Sequence, residues 1–368
     1  MNLIGEFLGS SGYANHTRYL ANELNKLTDI KLITSLPVGY ERDVNDKELE
    51  MIKREETLDV NLIITHPLFW RTNCFAKRNI VYLVWEGDKI PKWMLEECFN
   101  PAIEKIIVPS QHTRDALWNT YWEGSEIEEQ VEMSNKGEDK KFWDKIITIP
   151  HGVDLETFYP IETKSDDFKF LSSKGFVRMG DRSGTQYLIK AYLEEFLPEE
   201  KVELIVKINP AYGVPNIEEM FPELKKLTPK IKFIIDDYNK KQLNELYNEC
   251  DVYVSPTRAE SFNLPIAESA ACGKMSISTN FGGQTDIIID KKTGLLINYD
   301  LHEQNDPEYE SIKWATPRIN ELKKYMRWCY DNKEEVKIMG DKALDNIKKY
   351  TWSNTAKQIH TLLKCKHI

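Results

Sequence analysis

Two glutamates with seven residues between them, Glu260 and Glu268, mark the stretch where chemistry is most legible, Val252–Gly294. An apolar run ending at Ser255-Pro256 reads as a strand, and the loop after it carries Glu260. A helix is expected to open near Pro265, because a proline's missing N–H would be unpaired in a first turn anyway. The loop Ser261-Phe262-Asn263-Leu264 would then present backbone N–H groups at a helix N-terminus, a ready site for phosphate. Glu260 precedes this loop and Glu268 is expected inside the first helical turn, and each carboxylate can accept hydrogen bonds from sugar hydroxyls. Taken alone, either glutamate reads equally as a solvated helix start, where a negative charge suits the helix dipole.

Cations that could meet a phosphate lie upstream. Arg182 stands ahead of a helical pattern, Arg178 competes for the same role, and Lys207 ends an apolar run. A surface ion pair is the ordinary alternative for each. Among the histidines, His66 stands beside Pro67 at an expected strand end, a position that faces the crevice in a parallel sheet. His16, His112 and His151 read more readily as capping or packed residues than as catalysts. Glu86 is open between contact with sugar or acceptor and a buried structural role. The loop Gly9–Gly12 lacks G-x-G-x-x-G spacing, which argues against a nicotinamide or flavin site.

These residues need a scaffold, and the hydrophobic pattern supplies one. In the first half, strands are expected at 2–7, 30–34, 60–65, 80–85, 105–109 and 146–149. Helices are expected at 13–27 and 111–121, the second with Ser110 as its N-cap. The second half repeats the alternation, with strands at 169–172, 202–208, 231–235, 252–255 and 274–278. Helices there are expected at 184–196, 240–250, 265–272, 321–330, 336–350 and 353–363. Strands alternating with helices imply parallel, doubly wound sheets, hence an α/β class. The polar stretch 123–141 reads as an exposed excursion, and Pro150–Pro160 as a crossing between domains.

Bulk properties narrow the class. A chain of 368 residues exceeds what one core usually fills, so two domains are expected. A net charge of −10 argues against general nucleic-acid binding. The six cysteines form no C-x-x-C pair and read as free thiols in a reducing compartment. The N-terminus lacks a basic segment followed by an apolar run, and no stretch reaches 18 uninterrupted apolar residues. The expectation is a cytoplasmic protein, with peripheral membrane contact left open.

The segment Glu260-Ser261-Phe262-Asn263-Leu264-Pro265-Ile266-Ala267-Glu268 resembles the E-G-F-G-L-P-x-x-E signature of the family-4 retaining glycosyltransferases, with Ser261 and Asn263 in place of glycines. Three further stretches carry the same resemblance. Ile149-Pro150-His151-Gly152-Val153-Asp154 looks like the family's I-P-N-G-V-D crossing, and Phe170–Phe196 like its strand–loop–helix, with Arg182-Ser183-Gly184 where R-K-G is usual. Trp85–Trp93 with Val108-Pro109-Ser110 looks like the W-E-x-D-x-x-P-x-W and V-P-S elements of one branch.

The resemblance implies a GT-B fold of two Rossmann-like domains facing across a cleft. These would be residues 1–155 on the acceptor side and 156–351 on the donor side, with 352–368 returning to the first. It implies a retaining, metal-independent transfer from a UDP- or GDP-sugar, with no cofactor beyond that co-substrate. Glu268 would hold the ribose and Glu260 the transferred sugar. Arg182 and Lys207, with Arg178, would clamp the diphosphate, assisted by backbone around Gly12 and 261–264. His16, His66 and Glu86 would contact acceptor or sugar. The acceptor is expected on a glycan or glycolipid, with a protein or a modified nucleobase as alternatives. The rival readings are an epimerase or phosphorylase of the same architecture, or an inactive nucleotide-sugar-binding partner in a glycosylation complex.

Overall fold

The computed structural model describes residues 1–9, 12–35, 44–123, 138–176, 181–226, 228–304 and 311–364. The chain forms two compact units: Met1–Gly152 with Asn305–Ile312 and Tyr350–Ile368, and Val153–Gln304 with Lys313–Lys349. Both are Rossmann-like α/β units, each built on one six-stranded parallel sheet. Most of the polar stretch 123–141 and all of Arg178 lie outside the described residues.

The first unit is built on strands β1 (Asn2–Gly5), β2 (Lys31–Thr34), β3 (Val60–Ile64), β4 (Arg78–Tyr82), β5 (Lys105–Val108) and β6 (Ile146–Thr148). They pair in parallel in the order β2-β1-β3-β4-β5-β6. Central strands of such a sheet are covered on both faces and read as largely apolar runs. Leu62, Ile63, Ile64, Ile80, Val81 and Tyr82 fit that pattern with no exposed surface. The helix Gln111–Tyr121 opens on Ser110, whose hydroxyl accepts from the Thr113 N–H, as its sequence predicts.

The helix Trp352–Lys364 packs on the helix Gly12–Asn25, placing Ala356 and Ile359 in one cluster with Leu20 and Leu24. Gly152 makes this approach feasible, since a Cβ there would lie 2.0 Å from the Trp352 nitrogen. Thr355 Oγ1 adds a hydrogen bond to the Pro150 carbonyl at 2.8 Å.

The second unit carries β7 (Phe168–Ser172), β8 (Val202–Ile208), β9 (Lys230–Ile235), β10 (Val252–Ser255), β11 (Met275–Thr279) and β12 (Gly294–Ile297). Their order is β12-β11-β10-β7-β8-β9, again parallel throughout. The chain winds outward from β7 through β8 to β9, then returns to the other side of β7 with β10. This reversal makes the C-terminal ends of β7 and β10 a topological switch point, where loops diverge and leave a crevice. An antiparallel ribbon, β13 (Tyr299–Glu303) with β14 (Lys313–Pro317), completes the described strands.

Candidate active site

The loop leaving β7 begins Ser173-Lys174, and the loop leaving β10 runs to Asn263. The switch point brings them together. Lys174 Nζ donates to Glu260 Oε1 at 2.6 Å, with the two side chains only 9% and 15% exposed. Burial alone would push the Glu260 carboxyl up, but the charges of Lys174 and Arg182 outweigh it and hold it below the ordinary range. Burial pushes the Lys174 ammonium down, against the pull of Glu260.

Arg182 is tied to the same loop through its backbone. Its carbonyl accepts from the Arg258 N–H at 2.8 Å and from Thr257 Oγ1 at 3.1 Å, and its Nη1 reaches the Ala259 carbonyl at 3.3 Å. Gly184, with φ +74°, follows, and a Cβ there would stand 1.9 Å from the Pro256 carbonyl oxygen. Only glycine lets this turn approach β10 so closely. Ser183 is buried, and its single hydroxyl proton lies between two acceptors, the Gly175 carbonyl and, at 2.8 Å, Asp181 Oδ1. Position 183, the lysine of the usual R-K-G, thus points into the protein here.

The helix after the loop runs Leu264–Ala271 with no acidic residue in its first turn, so Glu268 stands one turn deeper than expected. The cause is Asn263, which takes the left-handed conformation (φ 77°, ψ 66°) as N-cap and starts the helix at once. Asn tolerates that region better than other residues with a Cβ. The asparagine thus preserves the backbone that a glycine would adopt, and its Nδ2 reaches Ser255 Oγ at 3.3 Å.

Glu268 is not a solvated helix start. Its Oε2 accepts from Tyr247 OH at 2.8 Å. Burial pushes this carboxyl up, while the Tyr247 hydrogen bond and the charges of Lys240 and Lys174 oppose the rise. Opposite it, the Gly283 N–H donates to the Glu260 carbonyl at 2.8 Å, and a Cβ at Gly283 would lie 1.9 Å from the Ser261 carbonyl oxygen. The Gly282-Gly283 turn therefore clasps the Glu260 loop. Phe262 is buried beneath it, while Ser261 and Leu264 are half-buried.

The structure brings Glu260, Glu268 and Arg182 together, but it places Lys207 in a different charge group. Lys207 is 4% exposed, with Nζ 5.8 Å from the Tyr238 ring centroid, and the charges of Asp237 and Asp236 act on it. Lys174, which sequence reasoning passed over, is the lysine beside Glu260. Its position just past the end of β7 is the signal that could have found it. Tyr247, Ser173 and the Gly282-Gly283 pair were missed as well.

The remaining candidates lie in the first unit. Gly12 is the first residue of the helix Gly12–Asn25 and is exposed. His66 caps the turn Pro67–Phe69, its Nδ1 accepting from the Leu68 N–H at 3.5 Å, and its ring lies 5.7 Å from that of Trp93. Glu86 is half-buried, and its carbonyl meets His112 Nε2 at 2.9 Å. His16 does not face outward as an acceptor contact would. It is 1% exposed, with ring centroids of His151 at 4.3 Å, Tyr82 at 4.4 Å and Trp352 at 5.4 Å.

Residues 175–306, which hold Arg182, Glu260, Glu268 and the Gly282-Gly283 clasp, match the sequence profile of glycosyl transferases group 1. Over that segment the chain is similar to the group 1 glycosyl transferases. The chain is 26% identical over 231 residues to a probable sucrose-phosphate synthase of Thermosipho melanesiensis, an alignment covering 61% of it and 48% of the relative. It spans about half the length of the curated relatives it matches. Among solved structures, sucrose-phosphate synthase from Thermosynechococcus elongatus superposes with a TM-score of 0.66 at 16% identity, covering 98% of this chain and 97% of that one. Anabaena HepE in complex with UDP and glucose superposes with a TM-score of 0.65 at 14% identity, covering 98% of each chain. Likeness at this identity speaks for the fold alone. None of the chain's described helices is long and apolar enough to cross a membrane.

Proposed function

We propose that this chain is a retaining glycosyltransferase that moves a sugar from a UDP- or GDP-sugar to an acceptor hydroxyl on a glycan or glycolipid. The observation that carries the reading is the convergence of Glu260, Glu268, Lys174 and Arg182 at the β7/β10 switch point. Glycosyl transfer develops positive charge on the sugar ring while the nucleoside diphosphate leaves with growing negative charge. Lys174 and Arg182 are fixed cations for that leaving group, in a partly dry setting where their charge is little screened. The helix start at Leu264 adds its dipole. Glu260 holds hydroxyls of the transferred sugar, and Glu268 holds the ribose. In this reading the protein's own cations meet the diphosphate, and the nucleotide sugar is the only small-molecule partner besides the acceptor. The likeness to HepE, solved with UDP and glucose, supports a UDP-sugar donor.

The test is release of free UDP or GDP from a panel of sugar nucleotides by wild type and Glu268→Ala. Slow acceptor-free hydrolysis of one donor, lost in the variant, is the expected result. Failure of any UDP- or GDP-sugar to be hydrolysed or to raise the melting temperature would overturn the reading, since a bound ligand stabilises the folded state.

A further inference from the structure

The Glu268 carboxylate is held from behind by a row of hydroxyls. Tyr247 OH donates to its Oε2 at 2.8 Å, Ser173 Oγ lies 3.3 Å from Tyr247 OH, and Tyr253 OH lies 3.0 Å from Ser173 Oγ. Three elements supply the row: the helix Lys240–Glu249, the loop leaving β7, and β10. Tyr247 and Tyr253 are 1% and 0% exposed. Phenylalanine would fill the same volume without any polar atom to satisfy, so each buried hydroxyl is tolerated only because it is paired. The Tyr247 ring is itself fixed edge-on to Tyr253 at 5.7 Å and to Phe158 at 5.9 Å between centroids. Hydrogen bonds in such a row polarise one another, so the last donor grips the carboxylate more firmly than an isolated phenol would.

A carboxylate facing a ribose is free to rotate unless one oxygen is engaged. With Oε2 taken by Tyr247, the orientation of Oε1 is set before a ligand arrives. We propose that Tyr247 is a positioning residue that fixes Glu268 for a ligand bearing both ribose hydroxyls, and that Ser173 and Tyr253 hold Tyr247 in place for that task. The selectivity that follows is for a ribonucleotide over its 2′-deoxy analogue. Preorganisation of this kind appears as affinity and as discrimination, because the oriented carboxylate loses a partner when one hydroxyl is removed. The proposal rests on the reading that Glu268 holds the ribose, and it adds what orients it. Ser173 is followed directly by Lys174, so the row reaches one peptide unit from the Lys174–Glu260 pair.

Calorimetric titration with UDP and GDP, each beside its 2′-deoxy analogue, tests this on wild type, Tyr247→Phe, Ser173→Ala and Glu268→Ala. Wild type is expected to favour the ribonucleotide by about tenfold or more. Tyr247→Phe should weaken ribonucleotide binding about 5- to 20-fold while its preference over the deoxy analogue shrinks at least threefold. Ser173→Ala, which leaves the phenol in place, should move the same ratio in the same direction by less. It carries the test if Tyr247→Phe fails to fold. A merely structural tyrosine would lower stability without changing that ratio. An unaltered ratio in both variants, with Glu268→Ala having lost it, overturns the proposal and leaves the ribose reading standing. If Glu268→Ala keeps the wild-type ratio, or wild type binds neither nucleotide, the ribose reading falls and the proposal with it.

Discussion

Lys174 Nζ sits 2.6 Å from Glu260 Oε1, so the carboxylate balances the charge of the lysine beside it. On the proposed reading, a phosphate competes with that carboxylate for Lys174, and on winning it releases Glu260 toward the sugar. Replacing the carboxylate removes the competitor. Glu260→Gln is therefore expected to bind UDP severalfold more tightly than wild type, roughly 1 kcal/mol, while sugar transfer from the donor is lost. Equilibrium UDP binding beside a donor-turnover assay checks both halves. Weaker UDP binding in the glutamine variant would show that the pair is no placeholder.

The opposite change should act in the opposite sense. Lys174→Met removes the positive partner and leaves Glu260 buried beside Arg182 alone. Breaking a buried pair from one side costs on the order of 3 kcal/mol, somewhat less where water reaches it. The expected outcome is a lower urea midpoint together with at least a tenfold loss of UDP affinity. Lys207→Met should leave UDP affinity within about twofold of wild type if its charge is committed to Asp236 and Asp237. A larger loss there than at Lys174 would return Lys207 to the diphosphate.

Two departures from the family pattern yield a contrasting pair. Asn263→Gly keeps the left-handed backbone at φ 77° and gives up one hydrogen bond, so stability should change by less than about 1 kcal/mol. Ser183→Lys restores the usual R-K-G sequence but forces a long charged chain into a position 2% exposed. That should cost at least about 3 kcal/mol. Denaturant unfolding separates the cases, and a well-folded Ser183→Lys variant would mean the loop can turn that side chain out to solvent.

The alternation of strands and helices was legible because each central strand is a short, mostly apolar run. Val202–Ile208, Val252–Ser255 and Gln111–Tyr121 fall on their predicted boundaries. Strands predicted to 7 and 85 stop at Gly5 and Tyr82, since residues past a parallel strand stay buried while leaving the ladder. The ribbon β13–β14 carried no signal: most of Tyr299–Glu303 is exposed and polar, so no hydrophobic period marks it. The capping box at Asn45 and Glu48 was readable in principle, but the helix it opens, Asp46–Lys53, is short and largely charged. At the site, spacing revealed Glu260 and Glu268 because both lie on one local motif. Lys174 and Tyr247 meet them from 86 and 21 residues away, and only the strand order makes those separations short.

The buried histidines of the first unit should make stability depend on pH in a window where few other groups titrate. His16 and His151 lie 4.3 Å apart between centroids, against Tyr82 and Trp352. Burial holds His151 down at about 3, and burial with the neighbouring His151 holds His16 well below its ordinary value. Both rings are therefore neutral in the folded protein at pH 5, whereas in the unfolded chain they take up protons below about 6.5. The unfolded state then binds more protons, so stability falls as pH drops from about 6.5 toward 3, by up to about 1.4 kcal/mol per pH unit for each histidine. His151→Asn, which places the family's usual residue at that position, should flatten the slope between pH 6.5 and 5 by the share of one histidine. Melting temperatures across that interval decide it. Parallel pH profiles for wild type and variant would mean that His151 already binds a proton in the folded state or titrates alike in both.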